Sequence, residues 1–199
     1  MRKLIFLSVI IFISSSYSQT IKGYGIKAGG TLSIQENEMV PGKLFTSNDY
    51  VGFNVGAFAE LFDVPVFSLV TEMNYIQKGF KGNLSNMYYR RILSWKEKIH
   101  YLNVSLLAKT RLESEIFSIY LLLGPRVDFK LSESDSPAEY PDFDFKNYIT
   151  GLKIGLGAEI NLSVTRMLTE FIYDYGFEDV DYKKNIKFNS FDFRIGVYL

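Results

Sequence analysis

The chain has 199 residues, 47% hydrophobic and 22% charged, the composition of one folded domain rather than a disordered one. Its 22 basic and 22 acidic residues cancel, so no global field draws in nucleic acid or an acidic polymer. The lack of cysteine excludes disulfides, thiol catalysis and thiolate metal sites together.

At the N-terminus, Arg2 and Lys3 precede the apolar run Leu4 to Ile13, and small residues follow at Ser16 and Ser18. This is the pattern of a secretory signal peptide over 1–18, cleaved before Gln19. The run is too short for a spanning helix, which needs ~20 apolar residues. The expected mature domain is 19–199, with a formal charge of −2 once Arg2 and Lys3 are removed.

From there the hydrophobic period is two, the signature of strands. Eight strands are expected, near 22–34, 50–62, 67–78, 99–111, 116–130, 150–162, 168–178 and 188–199. The links after the second, fourth and sixth are short; those after the first, third, fifth and seventh are longer and polar. Such alternation fits an all-β, antiparallel, up-and-down barrel with its short turns at one end and its long loops at the other. Strands of ~12 residues, tilted by ~40°, cover a hydrocarbon band of ~25 to 30 Å.

Which face is inside follows from the charges. One phase, including Tyr24, Ile26, Val55, Met73, Leu106, Leu121, Ile154, Leu156, Phe171 and Ile195, is interrupted by no charged residue in any strand. The other holds Lys27, Glu60, Glu72, Lys109, Arg126, Asp128, Lys153, Glu159, Glu170, Asp174, Asp192 and Arg194, interspersed with glycines. Those are five cations and seven anions, near enough to balance to pair. A lysine facing lipid at the midplane costs ~2 to 4 kcal/mol, so the charge-free phase is expected to face lipid. The charged phase then fills an eight-stranded interior just wide enough for side chains. Glu72, Lys109, Arg126, Lys153, Glu159, Glu170 and Arg194 are the expected members of a structural charge network there. A soluble, lipocalin-like carrier with the faces reversed is the alternative.

Several stretches, "TEMNYIQKG" at 71–79, "YLNVSLLAK" at 101–109, "YLLLGPRVDF" at 120–129, "GLKIGLGAEI" at 151–160 and "EFIYDYGFEDV" at 170–180, carry a family likeness. The chain resembles the bacterial outer-membrane β-barrel family called PorT-like over nearly all of the mature sequence. Family members often carry proline where this chain has Ser105, and many such barrels end on an aromatic residue where this one ends Tyr198-Leu199. The resemblance implies a barrel in the bacterial outer membrane, delivered by the barrel-assembly machinery, with no catalytic activity. A role in protein secretion is attached to the family name.

Candidate sites are few. His100 is the sole histidine, so a Ser-His-acid lipase that modifies lipid A has one candidate base, and its own strand offers no serine in the same phase. The segment 86–98 combines Arg90, Arg91, Trp95 and Lys96, residues suited to lipid head groups and lipopolysaccharide phosphates. The acidic segment 133–145 lacks the spacing of a calcium loop. No cofactor, metal or catalytic residue is expected. The expected function is non-enzymatic, a structural or interaction role through long extracellular loops with an extracellular or secretion-system protein as partner. A lipid A-modifying enzyme and a small channel are the alternatives.

Overall fold

The computed structural model describes residues 21–37, 45–62, 66–86, 91–114, 117–134, 144–162, 164–181 and 186–199. The expected signal segment, 1–18, lies outside them. The described chain forms β1 Ile21–Asn37, β2 Phe45–Asn48, β3 Tyr50–Leu61, β4 Phe67–Asn86, β5 Arg91–Glu113, β6 Phe117–Glu133, β7 Tyr148–Asn161, β8 Arg166–Gly176 and β9 Ile186–Tyr198. Every pairing is antiparallel, and the ladder closes because β9 returns to β1 and β4 pairs with β5. Closure satisfies the backbone groups of the wall internally, as a hydrocarbon solvent requires.

The nine segments make eight staves. β2 continues β3 along the same partner strand: Phe45↔Leu84 through Asn48↔Lys81, then, past Asp49, Asn54↔Ile76 through Leu61↔Leu69. The register slips by one residue at the break, which splits this stave without adding another. The eight-stranded expectation therefore holds.

The loop expected at 79–98 is a correction. β4 runs to Asn86 and β5 starts at Arg91, so most of this stretch is a paired ladder from Gly79↔Lys98 to Asn86↔Arg91. The arms carry the hairpin past β6, whose pairing with β5 ends at Ile99↔Glu133, while β2 accompanies β4 up to Leu84. Beyond the membrane both faces of a hairpin meet water, so its backbone pairing needs no apolar alternation to sustain it. The segment expected as a loop at 131–149 is likewise trimmed, by β6 reaching Glu133 and β7 starting at Tyr148.

Burial follows the two-residue period. Outward side chains such as Val51, Leu156 and Met73 are 71%, 61% and 57% exposed, while the charged phase is buried. The inward glycines are matched to bulky neighbours rather than to turns. A Cβ on Gly157 would lie 2.2 Å from the Tyr120 ring, and one on Gly25 would lie 2.7 Å from Phe58. At the short-turn end Phe62, just past β3, adopts φ 63°, a left-handed conformation uncommon for a bulky residue.

Two apolar clusters accompany the charges, the first interleaved with them and the second beyond them. Phe58, Val70, Leu107, Tyr120, Leu122, Leu168, Ile172 and Tyr198 pack toward the short-turn end. Phe80, Ile99, Tyr101, Phe145, Ile149, Val180 and Phe188 pack across the long-loop end. Phe145 and Val180 come from connections that fold over the mouth, joined by the Phe145↔Asp181 bridge and by Lys146 N–H donating to the Val180 carbonyl at 2.8 Å.

Candidate functional site

Inward side chains of the wall stack as three layers of charge. Nearest the short turns, Glu60 accepts from Ser68 at 2.8 Å and Lys109 at 3.0 Å, and Arg111 also donates to it. The Tyr198 hydroxyl lies 2.7 Å from Glu60 and 2.6 Å from Glu159, and Lys109 also bonds Glu159. Arg166 lays its guanidinium 3.6 Å from the centre of the Tyr198 ring and reaches Glu159 at 3.5 Å.

The middle layer is a four-membered knot. Lys27 bonds Glu72 at 2.8 Å and Glu170 at 2.7 Å, and Arg194 bonds the same two carboxylates at 3.0 Å and 2.6 Å. Tyr120 donates to Glu170 at 2.9 Å, and Lys153 stands 3.6 Å from Glu72.

The upper layer repeats the design. Lys78 bonds Asp128 at 3.0 Å and Asp174 at 2.9 Å, while Arg126 spans the same pair at 2.6 Å to each. Asn103 donates to Asp128 and accepts from Lys153 at 2.6 Å, which ties this layer to the one below. Each carboxylate in these knots meets two cations, the arrangement that compensates removal from water.

All seven residues expected in the network, Glu72, Lys109, Arg126, Lys153, Glu159, Glu170 and Arg194, are at most 2% exposed and lie in these layers. Sequence reasoning missed Lys78 and Arg111, buried at 0% and 2%. Both sit in the inward phase, Lys78 on the strand of Glu72 and Arg111 two residues past Lys109, so parity carried the signal. They raise the buried cations from five to seven, against seven buried carboxylates among the described wall residues below the rim, and half-buried Arg166 reaches the same network. The sequence estimate was short of balance by these two.

At the outer rim the expected head-group residues separate. Arg90 lies outside the described residues, and the side chains of Arg91 and Trp95 are not described although both residues belong to β5. Lys96 is exposed, and its Nζ stands 4.8 Å from the centre of the Tyr50 ring. His100 meets Tyr75 at Nδ1 and stacks on its ring at 5.7 Å between centroids. That contact is an aromatic belt pair, and among the described residues no carboxylate bonds the imidazole as a triad would require. In the acidic segment, Glu133 pairs with Lys130 at 3.1 Å, while Asp135, Glu139 and Asp142 lie outside the described residues.

A closed barrel of eight staves, apolar outward and ion-paired inward, is the build of an outer-membrane protein. The family model for the outer membrane protein beta-barrel domain matches residues 17–182. The chain belongs to that family. This places it in the bacterial outer membrane and removes the soluble-carrier alternative. Among solved structures it is similar to the outer membrane protein OprG from Pseudomonas aeruginosa, at 13% identity and a TM-score of 0.55, over 88% of this chain and 95% of that one. It is also similar to Neisserial surface protein A, at 14% identity and a TM-score of 0.54, over 90% of this chain and 99% of that one. At these identities the likeness concerns the fold. Among curated proteins no sequence matches the chain.

Proposed function

We propose that this outer-membrane barrel is a non-enzymatic structural and interaction protein that works through its extracellular face, with the β4–β5 hairpin as its principal contact surface. The observation that carries this reading is the paired ladder from Gly79↔Lys98 to Asn86↔Arg91, which outruns β6 on one side and is braced by β2 as far as Leu84 on the other. A ladder costs less entropy to present to a partner than a free loop of the same length. The interior supports the same reading, because three ion layers and an apolar cluster occupy the space a substrate path would need.

The PorT-like resemblance adds a narrower proposal, that the partner belongs to a protein-secretion apparatus. The test replaces residues 84–93 by a two-residue turn and compares surface cross-linking at native expression with that of the full chain. The expected result is a specific cross-linked protein lost in the shortened variant, while the barrel keeps its heat-modifiable gel mobility. Cross-links that are identical in both, or none in the full chain, would refute the reading; a secretion component among them is what the narrower proposal requires.

A further inference from the structure

We infer that Lys81, Lys96 and Lys98, on one face of the β4–β5 hairpin, bind the phosphate groups of an outer-leaflet lipid. This rests on the interaction reading above and names one of its partners.

The register sets the three lysines together on one face. Lys81 stands directly opposite Lys96, and Lys98 is opposite Gly79, one rung nearer the membrane on the same side of β5. Directly opposed residues of an antiparallel pair have their Cβ atoms only ~5 Å apart, and like charges in that position destabilise the ladder. A wall strand avoids such a pair unless something of opposite charge completes it.

Nothing in the described protein does. Lys81, Lys96 and Lys98 form no ion pair among the described residues, whereas Lys130 and Lys146 at the same end each find a carboxylate, at 3.1 Å and 3.5 Å. Asp49 follows the Asn48 that pairs with Lys81, yet it makes no ion pair with any of the three. The Tyr50 ring under Lys96 positions the ammonium and leaves its N–H donors for another acceptor.

Depth argues for a lipid rather than a free anion. Descending the same face from Lys98, the rungs are Gln77↔His100, then Tyr75↔Leu102, then Met73↔Val104. Polar gives way to aromatic and then to aliphatic within three rungs. With ~3.4 Å per residue and ~40° of tilt, Lys98 rises ~5 Å and Lys96 ~10 Å above His100, the level of head-group phosphates. The acyl chains of a lipid held there would lie along Met73 and Val104.

The experiment reconstitutes the full barrel in nanodiscs containing either a bisphosphorylated lipid A or only phosphatidylcholine, then measures lipid retained through detergent washing. Lys81→Gln/Lys96→Gln/Lys98→Gln is compared with Lys130→Gln/Lys146→Gln, and folding of each is read from heat-modifiable mobility. Selective retention of the lipid A by the native chain is expected, with about a tenfold loss in the triple variant, little change in the control, and no displacement by inorganic phosphate. Equal retention by the folded triple variant, equal loss in the control, or displacement by inorganic phosphate would each overturn the site. Partner cross-linking measured on the same samples separates the two ideas: if it persists while lipid retention ignores the three lysines, the lipid site fails and the interaction reading stands.

Discussion

Arg194 and Glu72, 122 positions apart in sequence, meet through two hydrogen bonds of 3.1 Å and 3.0 Å in the middle of the barrel. The two-pronged geometry of guanidinium on carboxylate fixes orientation as well as distance. Glu72→Ala leaves Arg194, Lys27 and Lys153 facing one another without that carboxylate, so a loss of about 3 to 5 kcal/mol is expected. Chemical unfolding in lipid vesicles measures it. Adding Arg194→Met to Glu72→Met is expected to restore part of the loss, since the cycle removes both charges rather than one. Equal stability of Glu72→Ala and the native chain would show that the knot carries no energetic weight.

Gly157 and Tyr120 divide one volume between them. A Cβ at Gly157 would come within 2.2 Å of the Tyr120 ring, so Gly157→Ala forces the ring to move and is expected to cost about 1 to 3 kcal/mol. Tyr120→Ala makes room while losing the bond to Glu170. In a double-mutant cycle the two changes together should cost less than their sum. Strict additivity would mean that the ring is not the obstacle.

A conducting pore is not expected. Three layers of paired charge fill the lumen, and Phe80, Phe145 and Phe188 close the long-loop mouth. Planar bilayers should stay at baseline current at high insertion, verified by quantifying the incorporated protein. Discrete, voltage-independent current steps from folded barrels would contradict this.

Glu178 stands outside the membrane-spanning wall, where the Thr150 hydroxyl donates to it at 2.6 Å and Lys146 lies 3.5 Å away. The Thr150 hydrogen bond, with help from Lys146, holds its pKa below the ordinary value of 4.5. A lowered folded value means that the contact stabilises the lid fully above pH ~4.5 and is lost as pH falls through the folded value. The group is partly exposed, so solvent screening makes the effect small. Amide protection at Lys146, taken relative to the intrinsic exchange rate at each pH, should therefore fall in acid, and Glu178→Gln should remove that dependence. A pH-independent rate ratio between the two proteins would argue against it.

His100→Ala is expected to leave the lipid A of expressing cells unchanged, because the imidazole engages Tyr75 in the aromatic belt. Mass spectra of extracted lipid A decide the matter. A species gained with the native chain and lost in the variant would revive the enzymatic reading.

The fold was legible because the solvent imposed it. Outside lipid tolerates no charge, so residues such as Ile154 and Lys153 had to separate by parity, and the repetition of that separation in every strand shows which phase is which. The same parity reached Lys78 and Arg111, where only the counting stopped early. The hairpin arms and β2 were illegible for the opposite reason. Above the membrane, water accepts both faces, and stretches such as "KGNLSN" and "SWKEK" pair through backbone groups that leave no periodic trace. The opposed pair Lys81↔Lys96 is likewise a fact of register, and register is set by the strand partner rather than by either sequence alone.

The middle knot draws Lys27 from β1, Glu72 from β4, Glu170 from β8 and Arg194 from β9. Neighbouring staves can zip one hydrogen bond at a time, but Glu72 has no cation on β3, one stave away, and finds Lys27 two staves away on β1 and Arg194 beyond the β1–β9 seam. An open ribbon of staves would give each charge only part of its company, Lys27 with Glu72 and Glu170 with Arg194. The seam of β1 with β9 is where the two halves exchange partners, Lys27 reaching Glu170 and Arg194 reaching Glu72, so joining the wall also completes the knot and acts as its latch.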